Sequence, residues 1–147
     1  MRSPSHLLPI LPILPFLARA AVAQDPSGGF YAACASWQLG FRGVDRFLVS
    51  TCPAGDGAAV RSALDLNDCL GNSEGAITAQ RVGFAFNSCW GCSASNTSAE
   101  LTCDCRTSGD KTKTSTIDLD TVISNDDGIL GCFDLPGEQK LLVVSIE

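Results

Sequence analysis

The amino-acid sequence predicts an all-β domain that is built from two related halves and stapled by disulfides. Residues 64–77 lie without a gap over residues 117–130, so one segment of the chain is repeated at an offset of fifty-three positions. The chain contains eight cysteines. Short β-prone runs alternate with turn residues, and no segment has the spacing of apolar residues that is typical of a long amphipathic helix.

The repeat extends upstream of these segments in the same register. Its further matches, first copy to second, are Trp37 to Trp90, Leu48 to Leu101, Cys52 to Cys105 and Ser62 to Ser115. An open array of repeats generally needs at least about three units, because each unit must bury its apolar face against a neighbour. We therefore expect the two copies to close on each other in one pseudo-symmetric domain with two related surfaces.

Each copy begins with the pattern strand, turn, strand. The expected segments are 47–52, 53–57 and 58–66 in the first copy and 100–105, 107–110 and 111–119 in the second. The turns contain Pro, Gly and Asp, and the arm at 112–117 is rich in β-branched residues, which favour strands. Both copies should therefore form hairpins.

After the hairpin, the two-residue period typical of strands ends in both copies. Asn or Asp in 65–67 and 118–120 is suited to cap a short helical turn, and we expect a single 3₁₀ turn that Asn72 or Asn125 ends. Residues 73–75 and 126–128 should be tight turns, because glycine supplies the positive φ that they need. They lead into strands at 76–77 and 129–130.

The first 23 residues have the features of a secretory leader. Arg2 precedes an apolar stretch at 7–17, and Ala21-Val22-Ala23 is a small-x-small cleavage site, so Gln24 would begin the mature chain. We expect a signal peptide at 1–23 and a single domain at 24–147, with repeat one at about 30–83, repeat two at about 84–135 and a C-terminal extension at 136–147. The protein should be secreted and extracellular.

The remaining apolar run does not predict a membrane segment. Residues 141–146 are far fewer than the about 20 residues that a membrane-spanning helix requires. We interpret this run as an added strand that covers a sheet edge, since an exposed apolar edge invites aggregation; a tail that binds a partner is the alternative.

Charge and histidine content exclude several functions. The leader holds Arg2 and Arg19 and no acidic residue, so its removal lowers the formal net charge from −6 to −8. An anionic surface repels phosphate backbones and anionic lipid, so we expect neither a nucleic-acid nor a membrane partner. The one histidine, His6, lies in the leader. The mature chain therefore lacks an imidazole base or ligand, and we expect no enzyme, no cofactor and no metal.

The cysteines all lie in the mature part, and an even number in a secreted chain indicates disulfides. The repeat relates a pair Cys34–Cys52 to a pair Cys89–Cys105, and Cys92 with Cys103 would form a second rung inside the second loop. Cys69 and Cys132 remain; their pairing would tie the middle of copy one to the end of copy two, and the sequence leaves it open.

The combined pattern resembles the cyanovirin-N homology family of lectins, in particular its cysteine-rich members in filamentous fungi. The resemblance rests on Phe30 and Cys34 four positions apart, on the spacing from Cys52 to Asp65, and on Leu64-Asp65-Leu66-Asn67 with Gly71-Asn72-x-x-Gly75 and its second-copy equivalents. It implies that strands exchange between the repeats in one elongated domain. The chain ends and the centre would then form opposite poles, in a monomer or a domain-swapped dimer.

The resemblance also implies a function, the binding of α-linked mannose-type oligosaccharides or glycoproteins at both poles. The preferred site, here named the Asn72 pole, would comprise Gly71, Asn72, Ser73, Glu74, Asn87, Ser88, Arg106, Thr107 and Asp110, with Gly83, Phe84 and Ser108 beside them. The weaker site, the Asn125 pole, would comprise Ala33, Gly55, Asn125, Asp126 and Asp127. The ranking reflects Ala33 and Pro53, which stand where polar residues help to hold sugar in the founding member.

Alternatives remain beside this interpretation. Cys89-Trp90-Gly91-Cys92 has redox spacing, the four cysteines of the second loop could bind zinc, the carboxylates around Asn125 could bind calcium, and paired carboxylates occur in glycosidases. A small secreted protein with this fold that acts through protein contacts, without sugar, is the leading alternative. Trp37 and Trp90 are expected to pack in the core rather than stack on sugar, and Asn96 begins a glycosylation sequon.

Overall fold

A four-stranded sheet and a three-stranded sheet carry the repeated hairpins of the chain. The computed structural model describes residues 28–95, 97–138 and 145–146. The predicted leader, Gln24, Asn96 and residues 141–144 lie outside this range. In the first copy a one-turn helix α1 (Phe30–Ala33) precedes β1 (Trp37–Arg42), β2 (Asp45–Pro53) and β3 (Ala59–Asp65). In the second copy the sheet is β6 (Cys89–Ala94), β7 (Glu100–Arg106) and β8 (Thr112–Asp118).

Each sheet is followed by a 3₁₀ turn and a short hairpin. Leu66–Asp68 leads to β4 (Leu70–Ser73) and β5 (Ala76–Ala79), and Leu119–Thr121 leads to β9 (Ile123–Asp126) and β10 (Ile129–Cys132). A third 3₁₀ turn, Ala85–Asn87, joins the copies. All the paired strands are antiparallel, and β11 (Leu135–Pro136) and β12 (Ser145–Ile146) add to β10 and β1. The predicted edge strand at the C-terminus is thus present at 145–146.

The predicted end of the 3₁₀ turns is wrong. Asp65 and Asp118 do cap them, each accepting a hydrogen bond from the backbone N–H two residues on. The turns end at Asp68 and Thr121, however, and Asn72 and Asn125 lie inside strands β4 and β9. These strands contain Gly, Asn and Ser, so pairing with β5 and β10 rather than intrinsic propensity determines their conformation.

The hairpins are exchanged between the copies, as the family resemblance implies. The backbone N–H of Ile77 in β5 donates to Ser115 Oγ in β8 at 3.0 Å. The equivalent bond joins Leu130 N–H in β10 to Ser62 Oγ in β3, also at 3.0 Å. The first copy's hairpin therefore packs on the second copy's sheet, and the second copy's hairpin packs on the first copy's sheet.

One apolar cluster runs through both halves. It buries matching positions of the two copies, which include Leu48 and Leu101, Leu66 and Leu119, Leu70 and Ile123, and Ile77 and Leu130. Phe30 of α1 is also fully buried in this cluster. The repeated apolar residues are therefore repeated core positions. Among the described residues no helix has the length and apolar character needed to cross a bilayer.

Four disulfides cross-link this core. They join Cys34 to Cys52, Cys89 to Cys105, Cys92 to Cys103 and Cys69 to Cys132. The first two pairs are those that the repeat predicts, and the third is the predicted second bridge inside the loop of the second copy. The fourth is the pair that the sequence left open. Cys69 precedes β4 and Cys132 ends β10, so this bridge ties one exchanged hairpin to the other.

Candidate functional site

At the Asn72 pole one amide joins three segments of the chain. Asn72 Oδ1 accepts a hydrogen bond from the Gly75 N–H at 2.8 Å, across the turn between β4 and β5. Its Nδ2 donates to Ser88 Oγ at 2.7 Å and to the carbonyl of Arg106 at 2.8 Å. All the usual hydrogen-bonding capacity of the amide nitrogen is therefore used within the protein.

The Asn125 pole repeats this arrangement. Asn125 Oδ1 accepts from the Gly128 N–H at 2.8 Å, and Asn125 Nδ2 donates to the carbonyl of Pro53 at 3.0 Å. Pro53 occupies the position of Arg106 in the first copy, so both asparagines attach an exchanged hairpin to the end of a strand in the other copy.

A carboxylate lies beside each of these asparagines at the tip of the hairpin. Glu74 Oε2 accepts from the N–H and the Oγ–H of Ser108 at 3.3 and 2.8 Å. At the other pole Asp127 Oδ1 accepts from the N–H of Gly55 at 2.6 Å. Both acidic residues adopt a positive φ, 51° for Glu74 and 50° for Asp127. The tip of each hairpin is thus bonded to the turn of the facing sheet.

The ionised form of Glu74 is favoured by these contacts. The hydrogen bonds from Ser108 lower the pKa of the Glu74 carboxyl, and the charge of Lys113 contributes further. The Lys113 ammonium also donates to the carbonyl oxygen of Glu74 at 3.5 Å. Both bonds from Ser108 fall on Oε2, and Oε1 accepts no hydrogen bond from the described residues. Glu74 therefore presents a charged acceptor to solvent.

Glycine is required where the hairpin tips meet the facing sheets. Gly75 has φ 84°, and a Cβ there would lie 2.9 Å from Thr107 Cγ2. Gly128 has φ 90°, and a Cβ there would lie 2.7 Å from Val60 Cβ. A side chain at either position would be strained and would push the tip away from its partner.

The structure brings most of the predicted Asn72 pole together. Asn72, Ser73 and Glu74 end the first arm of the hairpin, and Ser88 and Arg106 are bonded to it through Asn72. Thr107 begins the facing turn, where its backbone and hydroxyl oxygens accept from the N–H groups of Asp110 and Lys111. Gly71 pairs with Thr78 and forms a bridge with Phe84. Among the described residues no hydrogen bond links the side chain of Asn87 or Asp110 to the rest of this group.

At the Asn125 pole the structure joins the second hairpin to Gly55. Asn125 and Asp126 end β9, and Asp127 is the residue bonded to Gly55. Ala33 ends α1 and is exposed; α1 is held to the 3₁₀ turn before β9, since Tyr31 N–H donates to Asp120 Oδ1 at 2.7 Å. No side-chain donor or acceptor is available at Ala33.

The prediction that both tryptophans pack in the core is wrong for Trp90. Trp37 is half-buried, its ring lies edge-on to Phe30 at 6.3 Å, and its indole N–H donates to the carbonyl of Ser98. Trp90 is 42% exposed. A two-residue period could have revealed this, because Trp90 follows the inward-facing Cys89 and pairs with Asp104, which lies between two inward-facing cysteines.

One residue at the Asn72 pole, Lys113, was missed by the sequence analysis, whereas the neighbouring Phe84 was expected there. Lys113 contacts the carbonyl of Glu74, as described above. Phe84 forms the bridge with Gly71, has φ 49° and is 52% exposed, so it forms an apolar border of the pole.

The described residues also line cavities beside the segments of the Asn125 pole. A cavity of about 390 Å³ is lined by Phe30, Tyr31, Cys34, Ala35, Ser36, Trp37, Ser50 and Ser95. It borders α1, the helix that ends at Ala33 of the Asn125 pole. Another, of about 320 Å³, borders Asp126 of the Asn125 pole and lies between β9 and β11.

The alternatives based on cysteine chemistry do not fit the structure. All eight cysteines are in disulfides, so Cys89 and Cys92 are not paired with each other and the second loop has no thiolates for zinc. Across residues 28–95, 97–138 and 145–146, no group of three or more His, Cys, Asp or Glu side chains is placed to hold a metal ion.

Comparisons with known proteins identify similar chains. The family model of the CVNH domain matches residues 30–131. TbCVNH of T. borchii is 28% identical with a TM-score of 0.56, covering 71% of this chain and 98% of that one. Microvirin in its complex with mannobiose is 26% identical with a TM-score of 0.55, covering 74% and 98%.

A third structure supports the fold. A MoCVNH3 variant in complex with (N-GlcNAc)4 is 21% identical with a TM-score of 0.60, covering 74% of this chain and 99% of that one. No curated protein matches the chain. The structural similarity thus extends over nearly the whole length of each of the three proteins named.

Proposed function

Because this chain belongs to the CVNH domain family, we propose that it is a lectin that binds oligosaccharides at the Asn72 pole. The observation that carries the proposal is the rigid cluster formed there by Asn72, Glu74, Ser88 and Arg106, in which exchanged segments meet. Rigid turns are suited to sugar recognition because their polar groups are ordered before the ligand binds. Little additional entropy is then lost on binding.

The residues of this pole have different roles in the proposal. Asn72 positions the loops, since its amide is already bonded to three partners. Glu74 Oε1 and the guanidinium of Arg106 are the charged groups left to meet sugar hydroxyls, which donate and accept hydrogen bonds in neighbouring pairs. Ser73, Asn87, Thr107 and Asp110 supply further polar groups around them, and Gly71 and Ser88 support the strand ends.

The proposed ligand is a mannose-type oligosaccharide. Support comes from the mannobiose complex of microvirin, a protein 26% identical to this chain. The MoCVNH3 variant is bound to an N-acetylglucosamine oligomer, so that sugar class is the competitor to test. We rank the Asn125 pole lower because Ala33 has no polar side chain and Pro53 stands where Arg106 stands in the other copy.

The setting of the domain completes the proposal. Residues 1–23 would be removed as a signal peptide, and residues 24–147 would form one secreted domain, in which four disulfides are expected to persist. Repeat one would span about 30–83, repeat two about 84–135, and the extension 136–147. Its function would be binding rather than catalysis, as a monomer or a domain-swapped dimer.

Isothermal titration of paired variants tests the proposal. Hydrogen bonds to charged groups contribute about 1.5–3 kcal/mol each, so Glu74→Ala with Arg106→Ala should weaken binding of a mannose oligosaccharide at least about tenfold. The matched control is Asn125→Ala with Asp127→Ala at the other pole, which should matter much less. Equal losses would refute the ranking of the poles.

A glycan array on the unmutated protein decides the broader question. Binding confined to N-acetylglucosamine oligomers would replace the proposed ligand class. Absence of binding to every glycan on the array would reject the lectin function in favour of the alternative, a secreted protein that acts through protein contacts.

A further inference from the structure

Trp90 lies on the outer face of the β6–β7–β8 sheet, next to the Asn72 pole. It is 42% exposed, and its indole N–H has no hydrogen-bond partner among the described residues. Trp37, its equivalent in the first copy, packs on Phe30 and bonds to Ser98 instead. A large aromatic ring that is left in solvent by one copy only is a candidate for a binding function.

Arg106 connects this ring to the pole. Its guanidinium carbon lies 5.8 Å from the centre of the Trp90 ring, within the range of a cation–π contact. Its backbone carbonyl accepts from Asn72, and its N–H donates to the carbonyl of Ser88 at 2.9 Å. The same residue therefore belongs to the loop cluster and to the Trp90 face.

A carboxylate lies across the strands from the Trp90 ring. Asp104 pairs directly with Trp90 across the strands, and Asp104 Oδ1 accepts from the hydroxyl of Thr114 at 2.6 Å. No described residue donates a hydrogen bond to Oδ2. Gly91 leaves the space beside this oxygen open: a Cβ at that position would lie 3.7 Å from it. An aromatic ring, a carboxylate and a guanidinium thus share one surface.

This surface is rigid because disulfides lie directly beneath it. Cys89–Cys105 and Cys92–Cys103 join β6 to β7 on the buried face, on either side of Trp90. The register of β6 and β7 shifts between Trp90 and Ser93, and the bridges fix the strands on both sides of this irregularity. A ligand would meet a surface that is ordered in advance, which lowers the cost of binding.

We propose that Trp90, with Asp104 and Arg106, forms an extended subsite for a further pyranose ring of the oligosaccharide bound at the Asn72 pole. A pyranose has an apolar C–H face that stacks on an aromatic ring and hydroxyls at its edge that bond to charged groups. The subsite rests on the proposed function, since it receives the part of the glycan that extends beyond the loop cluster. It predicts that affinity increases with glycan length.

The test compares short and long sugars on matched variants. Mannobiose, mannotetraose, chitobiose and chitotetraose are titrated calorimetrically into the mature protein, Trp90→Ala and Tyr31→Ala. Tyr31 is the control because it is an aromatic residue with a similar exposure, 41%, and it belongs to α1, outside the Asn72 pole. For the sugar class that binds, Trp90→Ala should weaken the affinity for the tetrasaccharide at least about fivefold and change the affinity for the disaccharide by less than about twofold. Tyr31→Ala should change neither affinity.

Nuclear magnetic resonance supplies a readout that does not depend on a difference in affinity between variants. The mature chain has two tryptophans, so the ¹H–¹⁵N spectrum has two indole signals, and the signal absent in Trp90→Ala identifies Trp90. Mannotetraose or chitotetraose should shift this signal while the Trp37 signal stays in place. A shift of Trp90 with the tetrasaccharide but not with the disaccharide supports the subsite.

The outcomes separate this inference from the proposed function. Unchanged tetrasaccharide affinity in Trp90→Ala overturns the subsite although the protein remains a lectin. An equal loss for both sugar lengths also overturns it, because Trp90 would then act through the fold of the loops. If the unmutated protein binds none of the four sugars, the proposed function fails first and the subsite with it.

Discussion

At the scale of single residues, the two copies place equivalent side chains in different surroundings. Asp65 and Asp118 each cap a 3₁₀ turn, by accepting from the N–H of Asn67 at 2.9 Å and of Asp120 at 3.0 Å. Asp65 is half-buried, and this burial raises the pKa of its carboxyl above the ordinary value; the nearby Asp68 and Asp45 add to the rise. Asp118 is exposed. The caps are alike, but Asp65 ionises less readily than a free aspartate.

A pH-dependent gain in stability should therefore follow from Asp65→Asn. A raised folded-state pKa means that the contribution of Asp65 to stability is full below the unfolded value, about 3.9, and is lost as pH rises through the folded value. Asparagine keeps the cap but carries no charge. The thermal midpoint of Asp65→Asn relative to the unmutated protein should thus be higher at pH 7 than at pH 3. Asp118→Asn is the matched control.

Calorimetric melts at both pH values measure this difference. If Asp65→Asn lowers the midpoint more at pH 7 than at pH 3, the ionised carboxylate stabilises the fold, and the assigned effect of burial is wrong. The comparison with Asp118→Asn removes any general effect of one charge less on an anionic protein.

Residue pairs that are fixed by the repeat could be predicted, and those fixed by tertiary contacts could not. Cys52 and Cys105 share the register of the paired core leucines, and their bridges to Cys34 and Cys89 close loops of similar length, with separations of 18 and 16 residues. Trp90 shares the register of Trp37, yet Phe30 and Ser98 give Trp37 a packed environment that Trp90 lacks. Sequence identity between the copies therefore does not specify burial.

At the scale of elements, each exchanged hairpin is attached by one asparagine. Asn72 bonds to Gly75, Ser88 and Arg106, whereas Asn125 bonds to Gly128 and Pro53. The sequence predicts tight turns at both places. It could not predict that the asparagines act across the domain, because the carbonyls that they reach lie 34 and 72 positions away in the chain.

Replacement of Asn72 by alanine should loosen its own hairpin and spare the other. The Gly75 N–H loses its acceptor, and a hydrogen bond of this kind contributes about 0.5–1.5 kcal/mol. Hydrogen exchange at the Gly75 amide should accelerate about two- to tenfold, while exchange at the Gly128 amide stays unchanged. Asn125→Ala should give the reverse pattern, and equal acceleration at both amides would indicate general destabilisation instead.

The sequence analysis missed β1 and β6, which precede the predicted hairpins, and it missed elements with weak local preferences. Strands β4 and β9 contain Gly71-Asn72-Ser73 and Ser124-Asn125-Asp126, which resemble turns, and α1 has four residues, too few to show a helical period. Strands β2, β3, β7 and β8 were predictable because β-branched runs and turn residues mark them. The Asn72 pole lies where the predictable strands meet the elements with weak local preferences, so only part of this site could be predicted.

At the scale of the whole molecule, strand exchange makes each half depend on both copies. The bonds from Ser62 to β10 and from Ser115 to β5 cross between the copies, and so does Cys69–Cys132. A repeated sequence is equally compatible with two copies that fold side by side. The exchange could therefore be predicted only from the family resemblance. The contacts that cross between the copies are its physical basis.

The crossing bridge should stabilise the fold more than a local one. In the loop-entropy model the contribution of a disulfide rises with the number of residues that it spans: 63 for Cys69–Cys132 and 11 for Cys92–Cys103. The model gives about 4 kcal/mol for the first and about 3 kcal/mol for the second. Chemical denaturation of the Cys69→Ala/Cys132→Ala and Cys92→Ala/Cys103→Ala variants measures the two contributions.

Both pairs are almost fully buried, so the loss of packing should be similar and the difference should report the chain constraint. We expect the variant without Cys69–Cys132 to be less stable by about 1–2 kcal/mol than the variant without Cys92–Cys103. The variant without Cys69–Cys132 should also lose hairpin contacts at both poles together, because this bridge ties the β4–β5 hairpin to β10. If the variant without Cys92–Cys103 is the less stable one, local fixation of β6 against β7 outweighs the tie between the copies.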